Sequence, residues 1–456
     1  MINKLMNNNS NMFWMLIHVL IGAMGVISNW FLIVWVYAVI IFSINKIISS
    51  LYLRGSVQSV IPLLVYVCSF EVLARMTTSY PFIPWELSKY FIIATSLFLL
   101  LAGKIEKTSS SGLLIIMLLI PGLLIDKSNL VVTNQIIFDT LGLMSLGFLM
   151  IVVGGVQVKV DYLNSIIKLI WLTSVSLLVS IIIKTPALDN LTFSLNVDFT
   201  TTGGFGSNQV VTIIGIGMFF SFYAWMNKLL FSGSHTIDGL FIGLFAYQGF
   251  LSFSRGGMVI GILSILIYYF MFRKSKSFQT FTRLRALRPF LFFIFAITIL
   301  VLSYSIIDNI SDGNITNRYL GETVSTLNKT KVKTINTIST GRYALLVSDL
   351  LLWRDNLIFG VGSGASTFLR ESNLVGLAAH TEFSRLLAEH GLFGLVIIFL
   401  LGWQLIKVYQ INNYNINGAL LFALCFIAIG TSMHSAMRTF VTPLFFVMST
   451  FIPENE

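Results

Sequence analysis

Long apolar runs separated by short polar breaks make up most of this chain. Such runs occupy 12–27, 30–44, 57–72, 87–103, 112–125, 136–155, 164–183, 209–227, 236–251, 257–272, 289–306, 391–406, 417–433 and 439–452. A bilayer core needs about 20 apolar residues per helix, fewer where flanking residues snorkel. With no water to satisfy the backbone, apolar spans of this kind must be helical. The pattern therefore predicts an all-α polytopic membrane protein of about 12–14 transmembrane helices, a single membrane domain over 1–456.

One break differs from the rest. The connection 307–390 is by far the longest, and long ordered connections are usually functional. It is not low-complexity. Leu345, Leu346, Leu350 and Leu352 recur at helical spacing between Thr340 and Trp353. The pattern stops at the glycine run GVGSGAS (360–366), and a second helical pattern runs from Thr381 to His390.

Composition agrees with this reading. Of 456 residues, 56% are hydrophobic and 11% charged, and the mean hydropathy is +0.85. A soluble domain carries about 25% charged residues, so this chain cannot cover a water-facing surface. Cys68 and Cys425 both sit in apolar runs and read as small core residues. The first apolar run is followed at once by a second, which suggests an inserted hairpin rather than a cleaved leader.

The net charge of +10 is a topology signal. Arg273, Lys274, Lys276, Arg283, Arg285 and Arg288 crowd the stretch 273–288 without an acid, and Lys46, Arg54, Lys104, Lys107, Lys159, Lys228 and Lys407 fall in loops of the same parity. By the positive-inside rule that face is cytoplasmic, with both termini on it and 307–390 outside. These basic loops can touch anionic lipid; they do not indicate nucleic acid.

The expected outer face carries Arg75, Arg255, Arg318, Arg342, Arg354, Arg370, Arg385 and Arg438. Arginine beside a membrane is costly unless paired or hydrated, and its planar fork suits phosphate oxygens. Arg255 stands out because Ser254, Gly256 and Gly257 flank it, leaving room for a head group; a snorkelling helix-end arginine is the other reading. The acids of that face, Glu86, Asp308, Asp312, Glu322, Glu382 and Glu389, form no tight pair, so neither a metal nor another cofactor is expected. There is no P-loop. The glycines at 360–366 could wrap a phosphate with backbone N–H groups or simply turn the chain.

Four stretches follow the order found in the O-antigen polymerase and ligase superfamily. They are SRGG at 254–257, TGR at 340–342 with Trp353, the glycine run, and HTEFSRLLAEHGLFGL at 380–395. GGFGSNQ (203–209) and YPFIPWELSKY (80–90) also resemble members that build surface polysaccharides. The resemblance implies a glycosyltransferase-C-like membrane fold and metal-independent, inverting transfer of an undecaprenyl-diphosphate-linked glycan to an acceptor hydroxyl. On the family pattern Arg255 and Arg342, joined by Arg318, bind the diphosphate and His380 is the base, with Glu382 able to orient it. Arg75, Glu86, His434 and Arg438 are additional candidates, and His434 or His390 is the alternative base. Polymerisation of O-antigen or a related surface polysaccharide is the expected activity. A ligase acting on lipid A core or protein is the alternative, and a lipid-linked oligosaccharide flippase is disfavoured because few ionisable residues lie mid-span. The implied partners are donor and acceptor glycans on the carrier, membrane lipid, a chain-length regulator and a flippase.

Overall fold

The computed structural model describes residues 10–52, 57–103, 109–191, 193, 195, 199–275, 283–371, 373–412 and 416–454. Arg54, Lys104, Lys107 and residues 276–282 of the basic stretch lie outside the described residues. The protein is an all-α polytopic membrane protein. Its helices, in chain order, are α1 (Asn11–Ile27), α2 (Asn29–Tyr52), α3 (Ile61–Ser69), α4 (Glu71–Met76), α5 (Leu87–Leu101), α6 (Ser110–Leu123), α7 (Thr133–Val153), α8 (Val160–Lys184), α9 (Ser207–Asn227), α10 (His235–Leu251), α11 (Arg255–Lys274) and α12 (Arg283–Ile310). The long connection contributes α13 (Asn314–Tyr319), α14 (Val324–Leu327), α15 (Ile335–Ile338), α16 (Arg342–Asp355) and α17 (Ser366–Leu369). It ends in α18 (Glu382–Asn412), followed by α19 (Ile416–Ser435) and α20 (Val441–Met448).

Among the described residues, nine helices are long and apolar enough to cross a bilayer, and Asn11–Ile27, Leu87–Leu101 and Ser110–Leu123 are shorter apolar helices. The expected spans map onto these elements with two differences. The run 236–251 forms α10, which is in neither of these two sets. The run 439–452 forms a helix of only 8 residues, after which Ile452–Pro453 pairs in parallel with Gln157–Val158. Its apolar residues serve the interior instead, since all eight residues of α20 are buried.

Burial sorts the bundle into centre and rim. The best apolar window of α9 is 94% buried, whereas those of α12 and α18 are each only 28% buried. Rim helices turn apolar side chains such as Leu302 and Phe399 outward, as lipid-facing helices must. Central helices approach closely through small residues. A Cβ at Gly257 would collide with the Val211 backbone, and Gly261 packs on Gly215, so α11 lies directly against α9. Hydroxyls fasten α8 to α1, with Ser176 Oγ donating to the His18 carbonyl at 2.8 Å and Ser180 Oγ to the Gly22 carbonyl at 2.6 Å. Both devices are typical where lipid removes the hydrophobic drive between helices.

The 307–390 connection folds onto one end of this bundle. Its helical patterns materialise as α16 and the first turns of α18. At Gly391 the latter breaks, with φ 58° and ψ −129°, before the apolar span continues. A side chain there would press on the Leu357 and Ile358 carbonyls, so glycine meets both the backbone and the packing demand.

Candidate active site

The site is built from helix beginnings. α9 starts at Ser207 after the left-handed glycines Gly203 and Gly204, α11 starts at Arg255 behind Ser254, and α16 starts at Arg342 behind Gly341 (φ 83°). His380 lies two residues before α18. These beginnings converge on a cavity of about 380 Å³ lined by Phe199, Ser207, Asn208, Ser254, Arg255, Gly256, Arg318, Thr340, Arg342 and His380. The first turn of a helix has unpaired N–H groups and the positive end of its dipole, which favours anions. Arg255 and Arg342 occupy the first position of their helices, adding full charges to the partial ones. Among the described residues, no carboxylate lines the cavity.

The structure thus brings together Arg255, Arg318, Arg342 and His380, which lie far apart in sequence. Arg255 is braced by its Nη1, donating to the Arg318 carbonyl at 3.1 Å, and its Nη2, donating to the Ile338 carbonyl at 2.8 Å. Arg318 is buried, and its Nε has no hydrogen-bond partner. Burial, and then the charges of Arg255 and Arg342, pull its pKa down to about 10, still cationic near neutrality. Arg342 is lowered for the same reasons, by burial and by Arg255 and Arg438. Like charges held in a partly dry pocket repel, and an anion relieves them.

His380 reports the same field. Burial and then Arg342 and Arg438 lower its pKa to about 4, so the ring is neutral near physiological pH. Its Nδ1 is buried and unpartnered. Its backbone is clamped on both sides: Ala436 N–H donates to the His380 carbonyl at 3.1 Å, and Arg438 Nη2 to the Ala379 carbonyl at 2.6 Å. Arg438 thus stands behind the site, holding the histidine loop.

The other candidates lie elsewhere. Arg75 is buried and fully used: Nη2 pairs with Glu71 at 2.8 Å, Nε donates to the Trp85 carbonyl at 2.6 Å, and Nη1 donates to Gln209 and to the Arg438 carbonyl. Glu86 precedes α5 without capping it. Glu382 does not orient His380. It is fully buried, ion-paired with Arg385, and accepts from Met437 N–H at 3.2 Å. His434 sits behind Gly256 with Nε2 at 3.0 Å from Thr212 Oγ1 and Nδ1 at 3.2 Å from the Gly430 carbonyl. His390 is buried beside Ser363 and Gly122.

The glycine run at 360–366 turns the chain. The N–H groups of Val361, Gly362 and Ser363 donate to the carbonyls of Ala388, Glu389 and Gly122, which leaves none of the three for a phosphate. Gly362, at φ 102°, lies against the Ile125 carbonyl where no side chain fits. Sequence reasoning passed over Ser207 and Asn208. Their signal was the GGFGSNQ stretch, whose glycines let the chain enter α9 at the cavity wall.

No curated protein matches the chain. Residues 240–399 match the family model described as O-Antigen ligase. That segment contains Arg255, Arg318, Arg342 and His380, whereas Arg75, Glu86, His434 and Arg438 fall outside it. Over that segment the chain is similar to the O-antigen ligase family, in keeping with the resemblance of its motifs.

Proposed function

We propose that the protein polymerises undecaprenyl-diphosphate-linked oligosaccharide repeat units into O-antigen or a related surface polysaccharide, at the outer face of the bacterial cytoplasmic membrane. The observation that carries this reading is a cavity with three arginines, three helix N-termini, a neutral histidine and, among the described residues, no carboxylate. The diphosphate of the donor lies among Arg255, Arg318 and Arg342, and its polyprenyl tail stays in the bilayer. The acceptor hydroxyl oxygen attacks the anomeric carbon from the side opposite the diphosphate, inverting it. The bond from that carbon to the diphosphate oxygen breaks, and the electron pair leaves on the diphosphate, where the guanidinium groups neutralise it. A ring nitrogen of His380 takes the hydroxyl proton. An arriving diphosphate offsets Arg342 and Arg438 and makes the ring a stronger base.

The match to the O-antigen ligase family favours a second reading, a ligase that hands finished polymer to an acceptor such as lipid A core or protein. The surface glycan of a deletion strain separates the two. Single repeat units on carrier or core support polymerisation, and long polymer left unattached supports ligation. Normal glycan in that strain would overturn both.

A further inference from the structure

Two of the sequence stretches singled out above, GGFGSNQ and YPFIPWELSKY, meet beside the cavity. Phe199 lines the cavity and is 56% exposed. Its carbonyl accepts from Gly204 N–H at 2.8 Å and from Thr202, and Thr202 Oγ1 donates to the Phe205 carbonyl, so Phe199 and Phe205 are the two aromatics of one compact loop. The Phe205 ring lies 5.6 Å from Trp85, and Trp85 lies 6.1 Å from Tyr80, centroid to centroid. Trp85 and Tyr80 are 44% and 63% exposed. Phe205, Trp85 and Tyr80 thus form a row of rings that begins in the loop of Phe199, a residue of the cavity wall.

The row is held rigidly to the site. Arg75 donates through Nε to the Trp85 carbonyl and through Nη1 to Gln209, at 2.6 and 2.5 Å. Gln209 follows Asn208, a residue of the cavity wall. An aromatic belt at the membrane surface would also expose tryptophan and tyrosine. A belt has no need of a buried ion pair fixing its backbone against a cavity wall.

Resting on the transfer reading above, we infer that Phe199, Phe205, Trp85 and Tyr80 form a binding track for the sugar rings of the acceptor glycan. The donor is positioned by its charge, since its diphosphate sits on arginines. The acceptor brings only a neutral hydroxyl to His380, so its position must come from contacts with its sugars. A cavity of about 380 Å³ is at the small end for ligand sites, roughly 300–1,000 Å³, so an oligosaccharide must continue outside it. Pyranose rings present apolar C–H faces and hydroxyl edges. Rigid, amphipathic aromatic side chains match such faces at low entropic cost.

The test is two-substrate kinetics with purified protein in nanodiscs, using lipid-linked repeat unit as donor and the same repeat-unit oligosaccharide, freed of carrier, as acceptor. Trp85→Ala and Tyr80→Ala should each raise the acceptor KM by about fivefold or more, with kcat and donor KM held within about twofold, the signature of lost binding shared by ground and transition states. Trp85→Phe, which keeps a ring, should recover most of the loss. An unchanged acceptor KM in both alanine variants overturns the track, as does an effect confined to donor KM or to membrane insertion. Arg342→Lys and His380→Ala, assayed in parallel, report on the cavity itself. If they are inactive while Trp85→Ala is normal, the track alone is wrong; if they transfer normally, the placing of transfer in this cavity is wrong; if wild type transfers nothing, the transfer reading itself is wrong.

Discussion

Arg342 and Arg385 belong to the same end of the molecule and have opposite surroundings. Arg385 is buried among three carboxylates, Asp139 at 3.1 Å, Glu389 at 3.2 Å and Glu382, with Ser366 and Gln135 completing the bonds of Glu389 and Asp139. Arg370 is matched likewise by Asp349, and Arg75 by Glu71. Among the described residues, Arg255, Arg318, Arg342 and Arg438 have no carboxylate at ion-pair distance. The arginines that looked alike in sequence are thus two populations. One is spent on holding the connection to the bundle, and the other keeps its charge for something the chain does not supply.

The largest effect should come from the cavity's one base. His380→Ala should cut transfer by about a hundredfold to ten-thousandfold, the usual contribution of a positioned general base, while diphosphate binding persists on the arginines. An in vitro assay with purified lipid-linked repeat unit measures it. A rate near wild type would reject the base and send the search to another group, although His434 already has both ring nitrogens engaged.

The comparison breaks next at the paired arginines. Arg385→Met leaves Asp139, Glu382 and Glu389 buried without their cation, a loss of roughly 3–5 kcal/mol. Thermal unfolding of the solubilised protein should fall sharply. Arg342→Lys should leave that transition near wild type, since no carboxylate depends on Arg342. Equal destabilisation by both changes would erase the distinction between the two populations.

The division was only half legible beforehand. Helix positions followed from apolar runs because lipid allows little else, and α16 and α18 followed from leucine spacing. Arg255, Arg342 and His380 were marked by motif order, and the cavity gathers them. Pairing was visible only where it is local, as for Glu382 and Glu389 one turn either side of Arg385. Nothing near Arg385 in sequence reveals that Asp139, from α7, completes its shell, or that Glu71 ties Arg75 to the Phe440 N–H at 2.9 Å. The gathering of helix N-termini was equally hidden, because it depends on how α9, α11 and α16 are stacked rather than on any one stretch. The run 439–452 misled because apolar composition marks burial in protein as readily as burial in lipid.

A smaller effect belongs to the fork of the cavity arginines. Arg255→Lys keeps the charge but cannot reach both the Arg318 and Ile338 carbonyls while facing a phosphate. Transfer should fall by about tenfold, the value of one charge-assisted bond or slightly more. Inorganic pyrophosphate should raise the melting temperature of wild type more than that of the variant, by mass action on the folded state. Full activity in Arg255→Lys would return it to a snorkelling role.

The finest test is the pH profile. Burial, Arg342 and Arg438 hold His380 at about 4, so the ring is neutral, and competent as a base, at any pH well above that value. The acid limb of kcat/KM, which follows the free enzyme, should therefore lie near pH 4 and drop as pH falls through it. Bound diphosphate offsets the two arginine charges, which lifts the pKa of the ring toward its ordinary 6.5. The acid limb of kcat, which follows the complex, should then lie at higher pH, by about one unit or more. A carboxylate base in a polar setting would give no such upward displacement, because no cation cluster would be holding it down in a way that substrate cancels. Coincident limbs, or a kcat limb below that of kcat/KM, would mean that the arginines and the histidine do not share one electrostatic pocket. The contrast with the self-neutralised Arg385 cluster would then lose its functional meaning.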